Sequence, residues 1–124
     1  MKPECLGVAD IPLYLVIRRR MLDDSPWSFS SSPEEDRGLD PDQLEQTLRS
    51  PDAAVLGIRS PIDASVPGTA EALVAVATTS REPRAKRRYI TWIMGIFVAP
   101  EWRGRGLGEA VVRACVARAR GWPG

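Results

Sequence analysis

The sequence has no histidine, two cysteines, no long apolar run and a net charge of only +1 over 124 residues. Each absence removes a class of function. Without histidine there is no imidazole general base, no histidine-based nucleophilic triad and no histidine metal ligand. Cys5 and Cys115 are too few for a disulfide framework or a thiolate zinc site. Cys115 lies in a helical pattern and reads as a small core residue rather than a nucleophile. No apolar stretch approaches the roughly 20 residues of a membrane-spanning helix, and the N-terminus lacks the basic and apolar regions of a signal peptide. A cytoplasmic location is the remaining expectation. So small a net charge gives no whole-molecule field to recruit nucleic acid or a membrane surface.

What is present is ordinary for a soluble globular protein: 44% hydrophobic and 27% charged residues, on a chain whose length suits a single domain over residues 1–124. Apolar residues from Ala9 to Leu22 recur at helical spacing and predict a first helix, with Asp10 as its N-cap and Pro12 in its first turn. Arg18, Arg19 and Arg20 near its end read as a solvated last turn. Residues 23–39 form a polar loop with an acidic cluster, Glu34, Glu35 and Asp36. A second short helix is predicted from Asp40, with Pro41 at its first position, to about Leu48. Ala53–Arg59 and Glu71–Ser80 read as strands joined by a Pro- and Gly-containing connection. The basic run Arg81–Arg88 reads as an exposed loop. Tyr89–Val98 is apolar on both faces, which predicts a central strand covered on both sides with Trp92 in the core. Leu107, Ala110, Val111, Ala114 and Cys115 share one face of a third helix, Leu107–Arg120, and Glu109 and Arg113 form an i,i+4 pair on another.

The most telling stretch joins that strand to that helix. Val98-Ala-Pro100 stops the strand, and Arg103-Gly-Arg-Gly-Leu-Gly108 opens the helix. Unpaired N–H groups at a helix start carry partial positive charge and point at an approaching anion. Glycines at 104, 106 and 108 remove Cβ atoms that would keep a diphosphate away. The spacing is not that of a dinucleotide fingerprint, whose third glycine position would fall on Glu109, and no Gly-Lys-Ser/Thr ending makes it a Walker A loop. An Arg-Gly helix-start turn with no ligand is the plain alternative.

Arg103-x-x-Gly106-x-Gly108 after a strand resembles motif A of the GNAT family of acetyl-CoA-dependent N-acetyltransferases. The likeness is specific from about Trp92 to Ala119, and the order helix, helix, strand, strand, strand, helix extends it over most of the chain. The resemblance implies an α/β (α+β) fold with a mixed, mostly antiparallel sheet flanked by helices. It further implies that the amides of Arg103, Gly104, Arg105, Gly106, Leu107 and Gly108 bind the pyrophosphate of acetyl-CoA, with Arg103 and Arg105 as counter-charges. Backbone groups of Phe97 and Val98 would pair with pantetheine. The implied reaction is direct acetyl transfer to a primary amine of an acceptor, with no metal.

Two departures from the family stand out. Met1–Val8 is short and poor in strand formers where the family begins with a strand. The chain also ends at Gly124, where the family continues with a fifth strand, a fourth helix and a tyrosine acid, so the sequence reads as lacking the C-terminal part. No general base is assigned. Tyr89–Pro100 has no carboxylate, Glu34, Glu35 and Asp36 are as readily a solvated cluster, and Tyr89 lies at the wrong end of its strand for the acid. Trp102 either packs beside the cofactor or anchors the turn, and Arg81–Arg88 either touches the 3′-phosphate or merely aids solubility. Trp27 and Trp122 receive no role. Two alternatives remain: a non-catalytic acyl-CoA-binding or interaction module, and a small nucleic-acid-binding domain, the latter disfavoured by the charge balance. An open sheet edge is expected to permit a homodimer.

Overall fold

Tyr14, Ile17 and Met21, spaced three and four residues apart, are the buried stripe that makes residues 11–24 a core-facing helix. The computed structural model describes residues 2–24, 40–60, 72–81 and 91–121. Within them the chain forms β1 (Glu4–Cys5), a 3-10 turn (Val8–Asp10), α1 (Ile11–Asp24), α2 (Pro41–Arg49), β2 (Ala53–Arg59), β3 (Leu73–Arg81), β4 (Thr91–Val98), a second 3-10 turn (Pro100–Trp102) and α3 (Leu107–Arg120). The four strands make one sheet in the order β1-β2-β3-β4, each pair antiparallel.

The helices divide between the two faces. Leu6, Tyr14, Ile17, Met21 and Leu44 of the α1–α2 side pack with Val55, Leu73, Val76 and Phe97. On the other face Leu107, Val111 and Cys115 of α3 meet Ala54, Leu56, Ile58, Val74, Ala75 and Ala77. The face predicted for α3 is the one that packs, with Ala110 and Ala114 at its margin. Burial pushes the Cys115 thiol up to about 11, whereas Cys5 is exposed. α2 starts as predicted: Asp40 accepts a 2.9 Å hydrogen bond from the Asp42 N–H, and Pro41 follows it.

Several expectations are corrected. β3, not β4, is the strand covered on both faces; β4 closes one side of the described sheet. Trp92, Met94 and Ile96 on β4 are 54%, 50% and 49% exposed, so Trp92 is not core. An apolar run alone does not distinguish a doubly covered strand from an edge strand left partly bare. The N-terminal segment does form a strand, though of two residues, because Arg59 pairs with both Glu4 and Asp10 and ties that segment to β2. Asp10 does not begin α1 directly. It accepts from the Gly7 N–H at 2.8 Å and closes the preceding turn.

Arg81, expected in an exposed loop, is the last residue of β3 and is 7% exposed. Its Nε donates to Asp52 Oδ1 at 2.6 Å, and its backbone N–H donates to the Asp52 carbonyl at 2.8 Å. The remainder of that basic run, together with Trp27, Glu34, Glu35, Asp36, Tyr89 and Trp122, lies outside the described residues.

Each pairing of β3 with a neighbour carries an irregularity that aims side chains. Ile58 faces Ala75 and Arg59 faces Leu73, so Val74 is an extra residue and both Val74 and Ala75 serve the α3 face. On β4, Thr78 faces Met94 and Val76 faces Phe97, so Gly95 and Ile96 together oppose Ala77. Gly95 has φ +63, a conformation glycine adopts without steric cost, and a Cβ there would meet Arg18 Nη1 at 3.3 Å. This bulge reverses the alternation: Ile93 packs on the α3 side while Phe97 turns to the α1–α2 side.

The Thr79 hydroxyl is fully buried and has no hydrogen-bond partner among the described residues. Burying an unmet hydroxyl costs about 1–3 kcal/mol. Thr79→Val is therefore expected to stabilise the fold by about 1 kcal/mol, read as a raised denaturant midpoint with an unchanged slope. A lowered midpoint would show that the hydroxyl is satisfied.

Candidate functional site

The end of β4 delivers the chain to α3 through a short, ordered sequence of turns. Ala99 N–H donates to the Val74 carbonyl at 2.8 Å, so the main chain of Ala99 faces β3. By strand alternation Val98 presents its N–H and C=O to the open side, and Phe97 turns its own back toward β3. The two residues expected to offer backbone groups thus differ in direction: the Val98 main chain faces away from β3 and that of Phe97 faces toward it. Pro100 then starts the 3-10 turn, which the Trp102 N–H closes on the Ala99 carbonyl at 2.8 Å.

Gly104 has φ +82 and Gly106 φ +77, and a Cβ placed on either would find no atom of the described residues within 4 Å beyond its chain neighbours. Gly106 is the N-cap of α3 and supplies no side-chain cap. The first intrahelical bond runs from the Ala110 N–H to the Gly106 carbonyl at 3.1 Å, which leaves the N–H groups of Leu107, Gly108 and Glu109 without an intrahelical acceptor. The result is a run of N–H groups with no acceptor among the described residues at the positive end of a 14-residue helix. Gly108 lies against the sheet, where a Cβ would touch Val98 Cγ2 at 3.5 Å.

The charged side chains around the turn are arranged so as not to cancel that potential. Glu109 in the first turn of α3 is paired with Arg113 at 2.5 Å. Glu101 is gripped by Arg20 through two hydrogen bonds of 2.9 and 2.7 Å, and this contact holds its carboxyl down to about 2. Its folded pKa lies below the unfolded one, so the contribution of this pair is complete above about pH 4.5 and is lost as pH falls toward 2. Arg105 stacks on Trp102 at 4.7 Å from the ring centre.

Arg103 is placed differently from Arg105. Its Nη2 donates to Asp24 Oδ2 at 2.8 Å, its Nε donates to the Val98 carbonyl at 3.1 Å, and it lies over the Phe97 ring at 5.6 Å. The guanidinium thus points back to α1 and β4, and Arg105 is the arginine left beside the open face. Local patterns gave no sign of Arg20, Asp24 and Glu101 as parts of this site; their partners stand 79 and 81 residues away. Arg19 and Arg20 are exposed, as expected of a solvated last turn, and Arg20 additionally pairs with Glu101 across the surface. Only Gly95 carried a signal, as an isolated glycine in a strand pattern.

A groove of about 330 Å³ lies elsewhere, between Thr91 and Ile93 of β4 and Val116, Ala119 and Arg120 of α3. It occupies the opposite end of both elements from the glycine turn and shares none of its donors.

The fold has counterparts among solved structures. An aminoglycoside antibiotic 6'-N-acetyltransferase from Acinetobacter haemolyticus superposes with a TM-score of 0.68 at 17% identity, over 97% of this chain and 72% of that one. A ribosomal-protein-alanine N-acetyltransferase from Brucella melitensis gives 0.67 at 18%, over 98% and 72%. A predicted acetyltransferase from Clostridium acetobutylicum, solved with acetyl-CoA, gives 0.66 at 17%, over 96% and 73%. At such identities the likeness speaks for the fold. No curated protein sequence matches. The sequence model of the acetyltransferase (GNAT) family matches residues 19–124, which include Arg20, Asp24 and the whole glycine turn. The chain belongs to the GNAT acetyltransferase family.

Proposed function

We propose that the chain is an N-acetyltransferase that moves an acetyl group from acetyl-CoA directly to a primary amine. The observation that carries this reading is the set of unpaired amides at Leu107, Gly108 and Glu109, opened to an anion by two glycines with positive φ. The residues fit a diphosphate: a Cβ at Gly104 or Gly106 would meet no described residue within 4 Å beyond its chain neighbours, and Gly106 gives the helix no side-chain cap. Acetyl-CoA supplies the activated thioester.

The chain's own groups hold and orient. The amides from Gly104 to Gly108 bind the pyrophosphate, Arg105 adds counter-charge, and the outward N–H of Val98 fixes the extended arm along β4. The same N–H is placed to polarise an acyl carbonyl at that edge. Phe97 and Arg103 shape the floor of the site rather than touching phosphate. A cytoplasmic setting belongs to this proposal; no described helix is long and apolar enough to cross a membrane.

A second reading, a non-catalytic acyl-CoA-binding module, is kept because Thr91–Val98 offers no carboxylate to deprotonate an amine. Coenzyme A titration followed by turnover of acetyl-CoA on a panel of small amines, peptide N-termini and lysine peptides separates the two. At a hundredfold excess over Kd the ligand is expected to add about 2.7 kcal/mol of stability. Turnover supports the enzyme, stabilisation without turnover supports the module, and neither would remove both.

Self-association through β4 belongs to the same proposal. Its outer main chain is unpaired by the described strands, and Trp92, Met94 and Ile96 leave apolar surface beside it that a second copy's β4 would cover. Sedimentation equilibrium is expected to show a dimer that Met94→Lys dissociates. A monomer at all concentrations would rule it out.

A further inference from the structure

The glycine turn has almost nothing of its own to hold its shape. Gly104, Arg105 and Gly106 are exposed, and the two glycines, both at positive φ, have open space where side chains would pack. Glycine backbones left unsupported sample many conformations. The support comes instead from the end of α1. Arg20 and Asp24 lie one helical turn apart and share a face. Arg20 holds Glu101, and Asp24 holds Arg103, the residue immediately before Gly104. Each segment brings one arginine and one carboxylate to the contact, so each arginine meets a carboxylate. Arg103 is fastened a second time, to the Val98 carbonyl and over the Phe97 ring.

We propose that Arg20 and Asp24 are positioning residues for the anion-binding turn, bracing Glu101 and Arg103 so that the chain enters Gly104 in one direction. The bracing concerns the unliganded chain; its effect on ligand affinity rests on the acetyl-CoA reading above. Exposed ion pairs contribute little to global stability, and the core clusters lie on other residues, so the main effect of this pair is orientation. Displacement of binding groups by about an ångström is enough to cost orders of magnitude in a positioned interaction.

The test exchanges charges. Arg20→Glu, Glu101→Arg and the double variant are compared with the parent by amide relaxation and hydrogen exchange at Gly104, Gly106 and Gly108 without ligand. Coenzyme A titration and thermal melting follow. Each single variant is expected to loosen the turn amides and raise the Kd for coenzyme A by about tenfold, with little change in melting temperature. The double variant is expected to restore both. Turn amides that are unchanged in the single variants, or equally loosened in the double, would overturn the brace. If the turn amides respond as expected and the parent chain does not bind coenzyme A, the brace stands and the acetyl-CoA reading falls. If the parent binds and the turn amides ignore the substitutions, the reverse holds.

Discussion

Gly106→Val is expected to raise the Kd for coenzyme A by about a hundredfold or more, close to 2.7 kcal/mol of binding free energy, while the chain stays folded. Two effects act together. At φ +77 a β-branched side chain is strained by about 1–3 kcal/mol, and the turn relieves that strain by rotating its amides away from the common focus. If the turn holds instead, the new side chain fills the space an anion would occupy, because beyond its chain neighbours no described residue lies within 4 Å of that Cβ. The same openness means that no core contact is broken, so the loss of folding stability is limited to the backbone strain. Gly104→Ala tests the graded version: its φ of +82 makes it comparably strained, yet it lies two residues farther from α3, and a smaller loss of affinity is expected. Isothermal titration beside thermal denaturation reads both quantities. An affinity within threefold of the parent for Gly106→Val would remove the turn as the phosphate site.

The largest loss of stability outside the apolar core is expected from Asp52→Ala. Arg81 keeps only 6% of its side chain exposed and meets Asp52 at 2.6 Å, with Asp52 itself about one-fifth exposed. Removing one partner of a buried pair strands the other's charge, at about 3–5 kcal/mol when burial is complete. Asp52 retains some solvent and Arg81 has a further interaction, so about 2–3 kcal/mol is expected. That is a large share of a total stability of about 5–15 kcal/mol. Asp52→Asn keeps an acceptor and is expected to lose less. Arg81→Met combined with Asp52→Ala is expected to recover part of the loss, because the buried cation is gone. Urea midpoints order the variants, and a loss below about 1 kcal/mol for Asp52→Ala would show that the pair is effectively solvated.

The helices and the glycine turn were legible in the sequence because their signals are local. The face made by Leu107, Val111 and Cys115 is a period of four residues, the Asp40-Pro41 start of α2 is a capping signal, and the open turn follows from where glycine stands. β2 was read to its observed limits for the same reason. What escaped was pairing between distant parts. The apolar character of β4 predicts a strand but not its rank in the sheet, which depends on which segments lie on either side. Arg20 and Arg103 both read as available cations until the fold sets Glu101 beside one and Asp24 beside the other. Arg81 looked like the first member of a basic loop; its burial depends on Asp52, 29 residues earlier, and on one more residue of β3.

The contrast between the two sulfurs has a practical consequence. With Cys115 sealed beneath α3 and Cys5 at the surface of the outermost strand, a maleimide dye at neutral pH should attach at one point on the native protein. That point lies three strand spacings from β4, on the order of 14 Å across the sheet. A fluorophore there is remote enough to leave the glycine turn undisturbed, and near enough to register by energy transfer from the indoles of Trp92 and Trp102 whether that edge is bare or covered.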